Sequence, residues 1–337
     1  MDVLADALAA MRVGQSRSAR TEVHAPWGLR FPAASGATFH VVLSGSCWLL
    51  PESGAEPILL ERGDVVFLRN GAAHCLADDP ASTVRDFAPS RWGPRTTIGR
   101  VEIDGPGDRA LLICGAYPLS RSRPHPLLGQ LPDILHLPAA RARHTGLLAT
   151  VEILAAELEE HRPGRDGVVP ALIDAMLLLI LRAWADDSTS QKSMSQRSAS
   201  PGSATPGGWA VAINDPSISS ALAAIHEDPA HPWTVETLGA RCGLSRSAFA
   251  ERFTAMVGEP PLTYLTWWRM TTGGRLLCES DAPLSAIAQH VGYSSEFAFA
   301  KAFKREFGIA PGRFRRTPST SPVPVLGTGT TPIPVTV

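Results

Sequence analysis

The sequence predicts an α+β chain of several domains: an N-terminal β-barrel or sandwich with a helical hairpin, followed by an all-α part carrying two helix-turn-helix motifs. Three observations carry this. Residues 20 to 120 read as short β-rich runs cut by glycine. Residues 186–208, DDSTSQKSMSQRSASPGSATPGG, are rich in serine, proline and glycine and hold no apolar periodicity. Beyond them the pattern is almost wholly helical, and one stretch of it occurs twice.

The bulk numbers fit this division. A chain of 337 residues is long for one domain and comfortable for two or three. Hydrophobic residues make up 44% and charged residues 19%, ordinary for packed soluble cores. Net charge is −1, so any surface for nucleic acid has to be local. Cys47, Cys75, Cys114, Cys242 and Cys278 are scattered and never form a C-x-x-C pair. That spacing argues against a zinc ribbon or disulfide framework and for a reducing compartment. The opening MDVLADALAAMRVGQ has an acid at its second position and no long apolar run, so it is not read as a signal peptide.

Taken in order, residues 1–140 form the first unit, with ATFHVVLSGSCWLL (37–50) and GDVVFLRNGAAHCL (63–76) as its clearest strands. Residues 141–185 form the hairpin, from RHTGLLATVEILAAELEEH (143–161) and VVPALIDAMLLLILRAW (168–184). The apolar ALIDAMLLLILRAWA (171–185) is too short for a bilayer and is interrupted by Asp174 and Arg182, so it reads as a buried or partner-facing helix of a cytoplasmic protein with no membrane contact. It either joins two copies as a dimer surface or packs on the barrel. Residues 186–212 are expected to be a flexible linker; a coil of roughly 23 residues spans on the order of 25 Å root mean square. Residues 213–318 form the helical unit, and 319–337 an unstructured tail.

The repeat sets TVETLGARCGLSRSAFAERFTAMVGEPPLTYL (234–265) beside PLSAIAQHVGYSSEFAFAKAFKREFGIAPGRF (283–314). Leu238 matches Ile287, Gly243 matches Gly292 and Ser245 matches Ser294. After a one-residue insertion, Phe249 matches Phe299, Phe253 matches Phe303, Gly258 matches Gly308 and Pro261 matches Pro311. A short helix ending at Gly243 or Gly292 suits glycine's ease at φ > 0. Ser245 or Ser294 then caps a second helix by accepting a backbone N–H. The phenylalanines at four-residue spacing give that helix one buried stripe. Helix, glycine turn and capped helix make a helix-turn-helix, whose second helix can enter a major groove.

Residues 213 to 317 resemble the DNA-binding domain of the AraC/XylS transcription regulators, most specifically over GYSSEFAFAKAFKREFGIAPGRFRR (292–316). The resemblance implies double-stranded DNA as partner, two recognition helices in successive major grooves, and a linking helix, here PPLTYLTWWRMTTGGRLLCES (260–280). Gly273 and Gly274 depart from the family pattern. Glycine costs about 1 kcal/mol relative to alanine inside a helix, so a weaker or bent linking helix is expected.

By match to the family motif, the groove-facing positions are Arg246, Ser247, Ala250 and Glu251 in the first copy and Ser295, Glu296, Phe297 and Lys301 in the second. Lys301 suits guanine O6 and N7, Glu251 or Glu296 cytosine N4, and Phe297 or Ala250 a thymine methyl. Each also reads as a plain surface side chain, and Phe297 as a residue tucked into the core. Lys304, Arg305, Arg313, Arg315 and Arg316 form a local cationic excess suited to phosphate.

GDVVFLRNGAAH (63–74) resembles the second cupin motif, and SGATFHVVLSGSCWLL (35–50) sits where the first belongs. The resemblance implies a cupin-type sensing domain with His40, Trp48 and His74 as effector-pocket candidates. Of the metal ligands of enzymatic cupins only His40 and His74 are present, and Thr38 stands near the place of the glutamate. They are weak metal candidates, packed histidines are the preferred reading, and no cofactor is expected. Some regulators with this kind of sensing half respond to oxidants through cysteine, and Cys114 lies at a matching position. The partner cysteine of that scheme is missing from RTEVH (20–24), and an inert buried thiol is the other reading. The expected protein is a transcription regulator with a small-molecule or oxidant effector, acting as a homodimer, with RNA polymerase as a possible partner. A cupin dioxygenase or isomerase with a helical appendage and a helical protein-interaction module are the alternatives from other classes.

Overall fold

The computed structural model describes residues 2–11, 16–88, 98–119, 125–140, 144–159, 163–198 and 208–316. The expected tail at 319–337 lies outside them.

Among the described residues, helix α1 (Val3–Met11) precedes ten strands: β1 (Arg17–His24), β2 (Gly28–Phe31), β3 (Ala37–Ser44), β4 (Cys47–Pro51), β5 (Ile58–Leu60), β6 (Val65–Leu68), β7 (His74–Ala77), β8 (Arg85–Asp86), β9 (Ile98–Ile103) and β10 (Arg109–Tyr117). Helix α2 (Pro126–Gln130) and β11 (Ile134–Leu137) complete the first unit. The strands form two sheets, ordered β11-β6-β3-β10-β1-β9 and β5-β4-β7-β2-β8.

Strand β3 shows why the first sheet is buried on both sides. Its side chains alternate between faces, and nearly every one is buried. Val42 joins Val66, Leu68, Leu112 and Cys114 of the same sheet, with Leu29, Phe31, Leu49 and Leu76 of the other, in a core between the sheets. Phe39 and Val41 point the opposite way, with Phe67, Leu111 and Ile113, into a second core made with helices.

Those helices are α3 (Thr145–Glu159) and α4 (Arg165–Ser198). Leu147, Val151, Leu154 and Leu158 of α3 and Ile173, Met176, Leu177, Ile180 and Leu181 of α4 lie in that core. The Tyr117 hydroxyl donates to the Ile173 carbonyl at 2.7 Å. The hairpin therefore packs on the barrel. The apolar stretch belongs to a longer helix than residues 171–185, and its Arg165–Ser188 portion is long and apolar enough to cross a membrane by length and composition. Half of its most apolar window is instead buried inside the protein.

The expected linker is corrected at both ends. Helix α4 continues through Ser198, because no proline or glycine interrupts residues 186–198 and the first breakers are Pro201 and Gly202. At the far end Gly208–Ala212 is helix α5, with Trp209 fully buried and its indole N–H donating to the Val257 carbonyl at 2.9 Å. One buried tryptophan outweighs the polar composition around it.

The remaining helices are α6 (Pro216–Glu227), α7 (Val235–Arg241), α8 (Arg246–Val257), α9 (Pro261–Glu279), α10 (Leu284–His290), α11 (Glu296–Phe307) and α12 (Pro311–Arg316). Ile218, Leu222, Leu238, Phe249, Phe253 and Tyr264 extend the helical core of the first unit without a break. Met270, Leu277, Ile287, Val291, Phe299 and Phe303 form a separate core. The first motif thus shares its core with the sensing half, and the second keeps its own.

Candidate functional site

Each helix-turn-helix is built by the punctuation read from the repeat. In the first, Thr234 and Thr237 cap α7 reciprocally, Gly243 turns at φ 68°, and Ser245 caps α8 by accepting from the Ala248 N–H. Phe249, Phe253 and Val257 are buried, and Gly258 ends the helix at φ 88°. In the second, Gly292 turns at φ 79°, Phe299 and Phe303 are buried, and Gly308 ends α11 at φ 75°. The cap of α11 is Ser295, whose hydroxyl accepts from the Ala298 N–H, and not Ser294. The inserted residue lengthens the turn, so the capping role passes to the next serine.

With the phenylalanines inside, the opposite faces look outward. Arg246, Ser247 and Glu251 on α8 are exposed and Ala250 is half-buried. On α11 Lys301 is exposed and Glu296 half-buried, while Phe297 is 79% exposed and so does not tuck into the core. A phenyl ring left in water on a recognition helix costs solvation free energy unless something covers it.

Inside the barrel, His40 and His74 meet, their Nε2 atoms 2.7 Å apart. His74 Nδ1 lies 2.7 Å from the Ala72 carbonyl and donates to it. His74 Nε2 then accepts, so His40 Nε2–H is the donor and His40 Nδ1 carries a lone pair. That nitrogen is buried with no hydrogen-bond partner, as is Thr38 Oγ1. Burial drives the His40 pKa well below its ordinary value, reinforced by His74, and burial lowers that of His74 to about 4. Phe31 stacks on His74, and Phe87 stacks on Phe31.

Sequence comparison decides the family. The cupin family profile matches residues 2–186, and a helix-turn-helix domain profile matches residues 238–317. An AraC-like transcription regulator of Streptomyces antibioticus is 34% identical over 94% of this chain and 99% of its own length. The chain belongs to the AraC-like transcription regulators.

Two more distant relatives share the architecture. The transcriptional regulator AlkR of Acinetobacter baylyi is 29% identical over 94% of this chain and 99% of its own. The RCS-specific transcriptional activator RclR of Escherichia coli is 26% identical over 82% of this chain and 83% of its own. Among solved structures, the DNA-binding domain of AdpA in complex with a target DNA is 33% identical, covers 30% of this chain and 90% of that one, and has a TM-score of 0.29. The AraC-like regulator thus joins a cupin-type sensing domain to a helix-turn-helix domain, and the relatives above that match it along 94% of its length are regulators, in keeping with a regulator rather than a cupin enzyme.

Within this AraC-like regulator the sensing candidates separate. His40 and His74 come together, but Trp48 alternates with Cys47 and Leu49, which fill the barrel, and so stands on the other face of β4. The two imidazoles do not fit a resident metal: they are hydrogen-bonded to each other, and among the described residues no third His, Cys, Asp or Glu joins them. Cys114 pairs with His40 across β10 and β3 and is buried. Burial pushes its thiol up to about 12, which disfavours the reactive thiolate.

The cations also divide. Lys304, Arg313 and Arg316 are exposed. Arg305 pairs with Glu306 at 3.1 Å. Arg315 is half-buried and donates to the Ala282 carbonyl at 2.5 Å, so it braces the loop before α10 rather than facing phosphate.

Sequence reading missed Arg269 and Gln130. Arg269 donates from α9 to the Pro229 carbonyl at 2.6 Å and the His231 carbonyl at 2.9 Å. Gly292 of the second motif lies against this clamp, since a β-carbon there would come 2.8 Å from Arg269 Nη2 and 2.9 Å from Ala230 Cα. Nothing in residue type or spacing marks either residue.

Proposed function

We propose that this regulator reads one operator with both helix-turn-helix motifs, α8 and α11 lying in successive major-groove segments of one duplex face. The observation that carries this reading is the two-sidedness of α8 and α11: aromatic stripes buried, opposite faces exposed in the same chain. Lys301 reads guanine and Phe297 a thymine methyl. Arg246, Ser247, Ala250, Glu251 and Glu296 are the further base-contact candidates, and Ser295 spends its hydroxyl on the cap. Lys304, Arg313 and Arg316 neutralise phosphate, with Arg305 sharing its charge with Glu306.

The cupin-type domain takes a small effector at the His40–His74 pair. The unpartnered His40 Nδ1 and Thr38 Oγ1 are the polar groups that would fix it, and Phe31 and Phe87 are the aromatic surface. The chemistry favours a small molecule over an oxidant, because a thiol as buried as Cys114 is mostly protonated at neutral pH. The protein acts in the cytoplasm as a homodimer through the outer side of the hairpin, where Ile153 and Val168 are exposed, and acts on RNA polymerase.

A gel shift with salt titration on the DNA upstream of the chain's own coding sequence tests this. A sequence-specific shift that weakens steeply with salt supports it. The absence of any shift at low salt would refute it.

A further inference from the structure

Helix α2 is only five residues long, yet residues at both its ends are tied to the DNA-binding half. At its C-terminal end the Gln130 side-chain carbonyl accepts from the Trp209 backbone N–H at 2.5 Å, and the Gln130 amide donates to the Met256 carbonyl at 3.4 Å. The Trp209 indole donates to the Val257 carbonyl. Met256 and Val257 are the last two residues of α8, where helical carbonyls have no partner within their own helix. A sensing-half side chain and the tryptophan it holds therefore complete the end of the first recognition helix.

At the other end, His125 caps α2 by accepting from the Leu127 N–H at Nδ1, which leaves the proton of the neutral ring on Nε2. His125 Nε2 faces the Tyr264 hydroxyl at 3.4 Å, and that hydroxyl donates to His226 Nε2 at 2.8 Å. His226 Nδ1 in turn faces the Asp6 carboxylate of α1 at 3.5 Å. This directed chain starts in α2, crosses α9 and α6, and returns to α1.

Helix α2 is also tied to the barrel. Arg69 donates to the Leu128 and Gly129 carbonyls at 3.0 and 3.1 Å and pairs with Asp133, which also accepts from Asn70. Arg69 and Asn70 begin the turn RNGAAH that ends at His74.

We propose that α2 is the clasp by which the sensing half positions the first recognition helix, with Gln130 as the positioning residue and Arg69 as the anchor linking the clasp to the turn that carries His74. The proposal rests on the reading of α8 as a DNA-reading helix. Because the outer face of α8 is exposed while the clasp is closed, the clasp supports α8 in a DNA-competent position rather than hiding it.

The test uses the full chain and a duplex that it selects from a randomised pool, with the α8 and α11 segments assigned by footprinting. Three variants are compared: Gln130→Ala; Gln130→Glu, which keeps the acceptor for Trp209 but has no donor for Met256; and Arg69→Ala, which touches no DNA-half residue in the contacts above. Each is expected to weaken binding about five- to tenfold on the intact duplex and to have little effect once the α8 segment is scrambled. Tightened or unchanged binding, or equal losses with either segment scrambled, overturns the clasp. If Gln130→Ala fails to fold, Gln130→Glu and Arg69→Ala carry the same comparison. Failure of the wild-type chain to select any duplex would instead overturn the DNA-reading assignment itself.

Discussion

Gly273 on the linking helix lies directly against the ring of Phe299 on the second recognition helix. A β-carbon at 273 would come 2.8 Å from Phe299 Cε2 and 2.9 Å from Cζ, and that ring is fully buried. Gly273, which looks like a weakness in α9, is therefore a packing device, and α9 runs unbroken from Pro261 to Glu279. At Gly274 the nearest atoms are 3.5–3.7 Å away, an ordinary contact with Phe307 and Phe314.

The two glycines should respond oppositely to alanine. Gly274→Ala gains about 1 kcal/mol of helix propensity at no steric cost. Gly273→Ala gains the same but overpacks the core, at a cost of about 1–3 kcal/mol. Thermal denaturation should show a higher midpoint for the first and an unchanged or lower one for the second; equal shifts would contradict the packing argument.

Lys301→Ala should weaken specific binding by about 1–3 kcal/mol and relax selectivity at one base step. Arg316→Ala should weaken all sequences alike and reduce the salt slope by about 1. Arg315→Ala is expected to lower stability while leaving the salt slope intact, because its guanidinium serves Ala282. Binding isotherms at several salt concentrations separate the three.

Phe297→Ala should leave the unfolding midpoint unchanged, since the ring makes little of the core, and should lose preference for thymine at one position. A drop in stability without a change in selectivity would assign the ring to packing.

Acid should destabilise the sensing half over a defined window. His40 and His74 are held neutral in the fold, their pKa values depressed below the unfolded value near 6.5. Below that pH the unfolded chain takes up protons that the folded one refuses, down to about 4 for His74. Stability is therefore complete above pH 6.5 and falls as the pH drops toward 4, by about 1.4 kcal/mol per pH unit for each such histidine. Urea titrations across this range should show His40→Gln with a shallower slope; His125, also depressed by burial, keeps the slope from vanishing.

Thiol labelling of the native protein should reach Cys278 first, because it is exposed, and Cys47 and Cys114 only on unfolding. Fast native labelling of Cys114, with loss of DNA binding, would restore the oxidant reading.

The two helix-turn-helix motifs were legible in the residues because they are local: glycine, serine cap and phenylalanine stripe lie within about twenty positions and act through backbone conformation and helical periodicity. Even there the added residue before α11 shifted the cap from Ser294 to Ser295, a choice made by turn geometry. Strands were legible as β-rich runs cut by glycine, but Trp48 was not separable from His40 by residue type, since which face points inward depends on the register with β5 and β7. The order of residues 186–198 was hidden for the opposite reason: the segment's composition says linker, while the helix it extends is held by packing far upstream.

What the sequence alone determined is the inventory: one helical probe present twice, His40 and His74 at the cupin motif positions with Thr38 where the glutamate belongs, and a family signature at residues 292–316. What only the tertiary structure decided is how the halves meet. Gln130 and His125 flank one short helix, their partners Met256 and Tyr264 lie more than a hundred residues further along, and hydrogen bonds across such separations leave no periodic trace in a chain. They exist because the hairpin and α5 bury their apolar faces on one continuous core, which brings α2 to the end of the first recognition helix.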